Sequence, residues 1–280
     1  MDVILGDNPF FGVNHISQST AHENFQRVDR FDNASNVIAE SVRRGVREFM
    51  VSTHADLPLL LNTVQASFPE EAAKLELLLV TPYAQKLNNI VGERGLIGLV
   101  SQVANPWHFF SYFFDILKLF SAGKIPSSVV RDFFVQDLDI RSDIEVTTIC
   151  LHNVVADLLF SFKSKALVEE VVENLQRITD ARLVVITQNP CVADSLLPKS
   201  IPICFSYNAA GFMVNPDLTS VRQMMTDTTR ELWGMSLFAS GYLSADEVLE
   251  DRFLASFSKV VYATSKVERL KSAITQFESI

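Results

Sequence analysis

Short apolar runs alternate along this chain with segments of helical period, and that alternation restricts the fold more than any other feature of the sequence. Runs at residues 3–5, 48–52, 75–80, 146–151, 183–187, 201–205, 232–238 and 259–262 are mostly apolar without strict alternation, as strands buried on both faces are. Parallel strands need crossover helices, and eight such units in 280 residues predict an α/β fold: one (β/α)8 TIM barrel spanning residues 1–280. Residues 36–46 place Val37, Ile38, Val42 and Val46 at helical spacing, and residues 166–178 repeat the pattern. Ser244 with Glu247 and Ser265 with Glu268 each have capping-box spacing, predicting two helix starts.

One connection is too long for a plain βα unit. Between the third and fourth strands the spacing predicts a helical insertion over residues 94–140, inside the single domain. It holds much of the phenylalanine, which at 21 residues far outnumbers Tyr (5) and Trp (2). Phe109, Phe113, Ile116, Leu117 and Phe120 fall on one stripe, widened by Phe110 and Phe114. The stripe suits packing on the barrel, a lid near the mouth, or a contact through which copies of the chain form a homo-oligomer. Asp115 and Lys118 interrupt it, so it does not read as a membrane span.

The net charge of −9 and the lack of a basic stretch argue against nucleic acid and anionic membrane as partners. The N-terminus has no basic region followed by a long apolar one, so a cytoplasmic protein acting on a small molecule is expected. Cys150, Cys191 and Cys204 are odd in number and not closely spaced, which predicts buried thiols rather than disulfides or a structural zinc site.

In such a barrel the chemistry sits at the C-terminal strand ends. His152 and His54 stand there as candidate proton donors or acceptors, with Tyr83 as a third candidate catalytic group or, like Asp56, an orienting partner. Asp7, Asn8, Asn153, Gln188, Asn189, Tyr207 and Asn208 are candidate substrate-binding residues; amides and hydroxyls dominate, as suits a polar or polyhydroxylated compound. Asp7, His15, His54 and His152 form a rival metal-ligand set, which lacks a closely spaced His pair and is the weaker reading; no metal is favoured. His22 and His108 read as surface or packing residues, and no nucleophile elbow, Walker or dinucleotide glycine motif is present.

Several segments resemble the aldo-keto reductases, more closely the uncharacterised members opening with Gly-Asp-Asn-Pro-Phe-Phe-Gly, here residues 6–12. The other marks are residues 41–49, Leu151-His152-Asn153, residues 237–243 and residues 261–270; the insertion is not covered. The resemblance implies a TIM barrel, a carbonyl substrate and NADP as cofactor, with the cofactor's 2′-phosphate near Ser265, Lys266 and Arg269 at the last helix start. Of the family's Asp, Tyr, Lys and His set only the His carries over, onto His152; Ser52, Leu57 and Pro82 occupy the other three places. The expected function is therefore an aldo-keto-reductase-like enzyme using His-assisted proton transfer on a small polar or sugar-like carbonyl compound. A metal-assisted hydrolase, an aldolase-type lyase and a catalytically lapsed barrel used for binding or assembly remain as alternatives.

Overall fold

The computed structural model describes residues 1–12, 30–82, 138, 140 and 142–278. Eight parallel strands close into a barrel in sequence order: β1 (Asp2–Gly6), β2 (Glu48–Ser52), β3 (Glu76–Thr81), β4 (Glu145–Leu151), β5 (Arg182–Thr187), β6 (Ile203–Ser206), β7 (Leu232–Met235) and β8 (Lys259–Ala263). Around it lie α1 (Arg30–Arg43), α2 (Leu57–Ser67), α3 (Pro69–Ala72), α4 (Asn153–Ser161), α5 (Lys165–Ile178), α6 (Pro190–Leu196), α7 (Leu218–Asp227), α8 (Ala245–Leu249) and α9 (Val267–Glu278). The expected barrel is thus observed, while nearly all of the expected insertion at 94–140, with its phenylalanine stripe, lies outside the described residues.

Strand alternation sorts the core into two layers. Ile4, Met50, Leu78, Val80, Cys150, Val184, Ile186, Cys204 and Trp233 fill the barrel interior. Their sequence neighbours, such as Leu5, Phe49, Val51, Leu79, Leu151, Val185 and Phe205, pack outward against the helices. Cys150 and Cys204 are buried free thiols and Cys191 is a half-buried one.

The lower end of the barrel is filled by polar groups around one aromatic ring. Lys259 Nζ lies 2.5 Å from Glu48 Oε1 and 5.2 Å from the centre of the Trp233 ring. Trp233 Nε1 donates to Glu231, which also pairs with Arg182. On β4, Thr147 is an extra residue where the register against β3 shifts, and its buried hydroxyl has no hydrogen-bond partner among the described residues.

Several element boundaries differ from the sequence expectation, and four of the differences have a plain local setting. The helix expected over 36–46 ends at Arg43, because Gly45 turns left-handed (φ +87°) and the amides of Gly45 and Val46 return to the carbonyls of Val42 and Ser41. β6 begins at Ile203 rather than residue 201, since Pro202 has no amide to donate to the ladder. β7 stops at Met235 because Ser236 adopts φ +62°. The Ser244–Glu247 capping box forms, whereas α9 starts at Val267, which puts Lys266 rather than Ser265 next to the helix.

Arg230, with a fully buried side chain, ties the lower face together. Its Nε donates to Asp194 Oδ1 (3.0 Å), and its other nitrogens donate to the carbonyls of Leu197, Pro198 and Ile201 beyond the end of α6. Arg230→Ala would strip these acceptors of their donor and leave Asp194 with Lys199 and Thr228 alone. We expect a loss of about 3 kcal/mol in denaturant-induced unfolding, with Arg230→Lys recovering only part of it.

Candidate functional site at the barrel mouth

His152 ends β4 and caps α4. Its Nδ1 accepts the amide of Val154 (3.1 Å), while its own amide donates to the Thr81 carbonyl of β3 (2.8 Å). His54 repeats the device beyond β2, its Nδ1 accepting the amide of Asp56 at 3.0 Å. A ring nitrogen that accepts an amide proton carries none, so the His152 imidazole holds its proton on Nε2. Burial lowers the pKa of His152, favouring that neutral form. His152, read from sequence as a proton donor or acceptor, is thus arranged as a neutral hydrogen-bond donor, while the Nδ1 of His54 also lies 3.9 Å from Asp56 Oδ2.

The segment from Gly6 to Gly12 builds the neighbouring wall. Phe10 packs on Phe49 of β2, with ring centres 6.0 Å apart. Phe11 stacks on His54 at 4.6 Å and an interplanar angle of 23°. Asp7, 8% exposed, accepts the Ser52 amide on Oδ2 at 2.7 Å, joining the ends of β1 and β2. Burial raises its pKa from an ordinary 3.8 to about 6, against the opposing effect of hydrogen bonds from the Ser52 amide and hydroxyl. Asn8 is exposed beside it.

On the other side of His152, α4 grips the end of β5. Asp157 accepts the Thr187 hydroxyl (2.5 Å) on one carboxylate oxygen and the Gln188 amide (2.9 Å) on the other. Its pKa is raised by burial, which outweighs those hydrogen bonds. Asn153 begins α4, half-buried. Gln188 follows Ile186 at the strand repeat of two and so stands on the inward parity, whereas Asn189 spends its side-chain oxygen on the Val192 amide at the start of α6.

Two more of the expected substrate-binding residues are engaged within the protein. Tyr207 has the outward parity of Phe205 and is 1% exposed; its hydroxyl donates to Asp251 (2.7 Å) and accepts from Arg222 (3.0 Å). Asn208 donates to the carbonyls of Phe212 and Ser236 and accepts the Phe212 amide, clamping the loops after β6 and β7. Tyr83 and His15 lie outside the described residues. Among the described residues no group of three His, Cys, Asp or Glu side chains could hold a metal ion, and no helix is long and apolar enough to cross a membrane.

After β7 the chain turns sharply: Ser236, Ala239, Ser240 and Gly241 all have positive φ, and the Ser236 hydroxyl meets that of Ser206 at 3.2 Å. Three of these are not glycine, so backbone strain concentrates at the mouth. Past β8, Thr264 accepts the Lys266 amide (3.1 Å) and Asn33 donates to the Ser265 carbonyl (3.0 Å), fixing the approach to α9. Lys266 and Arg269 are exposed there, two cations beside a helix N-terminus, a donor set that fits an anionic phosphate.

Sequence reasoning did not single out Phe11 or Asp157. Asp157 could have been found from its spacing: five residues after His152 on a helix leaving β4, it faces the next strand.

Because Asp7 is more acidic unfolded than folded, its stabilising protonated form is fully present below pH 4 and is lost as pH rises through about 6. We expect stability to fall by ~3 kcal/mol over that interval, and Asp7→Asn to flatten the curve in pH-dependent urea unfolding.

No family model matches the sequence, and no curated protein matches it. Among solved structures, one of a presumed aldo-keto reductase from Pseudomonas aeruginosa superposes with a TM-score of 0.58 at 10% identity, covering 99% of this chain and 90% of that one. At that identity the likeness is one of fold alone, that of the closed eight-stranded parallel barrel.

Proposed function

We propose that the protein is an aldo-keto-reductase-like oxidoreductase acting on a small polar or sugar-like carbonyl compound, with His152 polarising the carbonyl oxygen. The observation that carries this reading is the fixed tautomer of His152: Nδ1 is occupied by the Val154 amide, and Nε2–H is left as a neutral donor at the strand end. Such a donor stabilises negative charge developing on a carbonyl oxygen without adding a cation to the mouth. The rigid first turn of α4 holds the ring in place, so no reorganisation is needed when charge develops.

Ser265, Lys266 and Arg269 would hold a phosphate of NADP at the start of α9. The cofactor, when bound, supplies the hydride. Gln188, Asn153 and Asn8 offer amide groups for substrate hydroxyls, beside the His54 ring that stacks on Phe11. The fold likeness to a presumed aldo-keto reductase supports the choice of reaction class.

The test is NADPH oxidation with a panel of small hydroxyaldehydes, together with a thermal shift by NADPH. His152→Ala is expected to lower kcat about 100-fold with little change in NADPH affinity, and Lys266→Ala to weaken NADPH binding while leaving kcat near that of the parent. Absence of any NADPH effect at millimolar concentration removes the reductase reading.

A further inference from the structure

A neutral imidazole can polarise an oxygen but is a poor source of a net proton. Giving up the Nε2 proton of His152 would leave an imidazolate in a site whose burial already disfavours charge on that ring. Reduction of a carbonyl consumes one proton, so another group has to deliver it. We propose that Asp7 is the proton-exchanging group of the barrel mouth and that the Ser52 hydroxyl relays its proton to the oxygen of a bound substrate; the substrate half of this rests on the reading given above.

The geometry supplies both halves of the relay. Asp7 lies immediately beyond β1, is nearly sequestered from solvent, and accepts the Ser52 amide at 2.7 Å, with the hydroxyl of the same residue near enough to oppose the rise in its pKa. Ser52 stands two residues after Met50, which lines the barrel interior, so the Ser52 side chain shares that inward face. The carboxyl is behind the rim and the hydroxyl is on it.

The surroundings let the carboxyl titrate. Beyond Ser52 at the end of β2 the titratable side chains are His54, whose Nδ1 accepts the Asp56 amide, and Asp56, whose carboxylate lies 3.9 Å from that nitrogen. The turn after β1 contributes Asn8, Phe10 and Phe11, and the end of β8 contributes Ala263 and Thr264, none of them charged. Among the described residues no ionic partner contributes to the behaviour of Asp7; burial alone outweighs its hydrogen bonds and keeps the proton on until about pH 6.

In the reaction, the Asp7 proton passes to Ser52 Oγ as the proton of that hydroxyl passes to the substrate oxygen. This oxygen gains the electron pair of the C=O bond when hydride from a reduced nicotinamide adds to the carbonyl carbon. Asp7 remains as the carboxylate, held by the Ser52 amide, and regains a proton from water.

Infrared difference spectra of the full chain without ligand, recorded from pH 4.5 to 8, test the exchange. A protonated-carboxyl band that disappears with a midpoint of about 6, is missing in Asp7→Asn and moves in Ser52→Ala supports the proposal. No such band in the parent protein, or one that persists in Asp7→Asn, overturns it. With NADPH and glyceraldehyde, Asp7→Asn is expected to lower kcat about 100-fold and abolish the pH dependence near 6, with Asp7→Glu restoring part of the rate. Turnover in Asp7→Asn with the parent's rate and pH profile overturns the catalytic role. If Asp7→Asn does not fold, Ser52→Ala decides, since it keeps the amide contact: an unmoved band and unchanged kcat overturn the relay. A parent protein that shows the band but oxidises no NADPH upholds the Asp7–Ser52 exchange and counts against the reductase reading instead.

Discussion

The seam between β8 and β1 is the constraint on which the rest depends. Five registered residue pairs, from Asp2 with Lys259 to Gly6 with Ala263, convert an open sheet with two unpaired edges into a closed barrel. Gly6 permits the closure near its upper end: a Cβ there would lie 3.1 Å from both Ala263 Cβ and Val261 Cγ1. Closure also gives the barrel two unlike ends. The lower one is occupied by Trp233 and the charges of Lys259, Glu48, Arg182 and Glu231, while the upper one carries hydroxyls, amides and imidazoles.

At the upper end the protein manages charge by withholding it. The two histidines spend one nitrogen each on backbone amides, and burial disfavours the charged state of Asp7, Asp157 and His152. A site built from neutral donors and buried carboxyls is suited to moving a proton to an oxygen rather than to gripping an ion. The exposed Lys266 and Arg269, by contrast, lie beyond β8, across the barrel from His152 at the end of β4 and next to the end of β1 that carries Asp7.

Much of the fold was legible because barrel strands are buried on both faces, and mostly apolar runs mark them whatever their neighbours do. The boundaries were less so, since each turns on one residue: the missing amide of Pro202, the left-handed turns at Gly45 and Ser236. The site was legible in part. A histidine at the end of β4 can be read from position alone, but Asp7 and its partner Ser52 are 45 residues apart, and only the β1–β2 pairing joins them. Tyr207 and Asn208 look equivalent in sequence to Gln188, yet Tyr207 falls on the outward parity and Asn208 is consumed by a loop clamp. Polar type and strand-end position identify the rim; parity and the partners that fold around it decide which rim residues face a ligand.

The cap on α4 makes the mouth sensitive to acid in a particular way. A proton on Nδ1 of His152 would compete with the Val154 amide for the same lone pair, so charging the ring means releasing the first turn of the helix. That helix also carries Asp157, which holds Thr187 and Gln188 at the end of β5. Acid would therefore act as a mechanical release, slackening two adjacent strand ends through one imidazole, and the protein trades a usable imidazolium for a rim that stays rigid only while that ring is neutral.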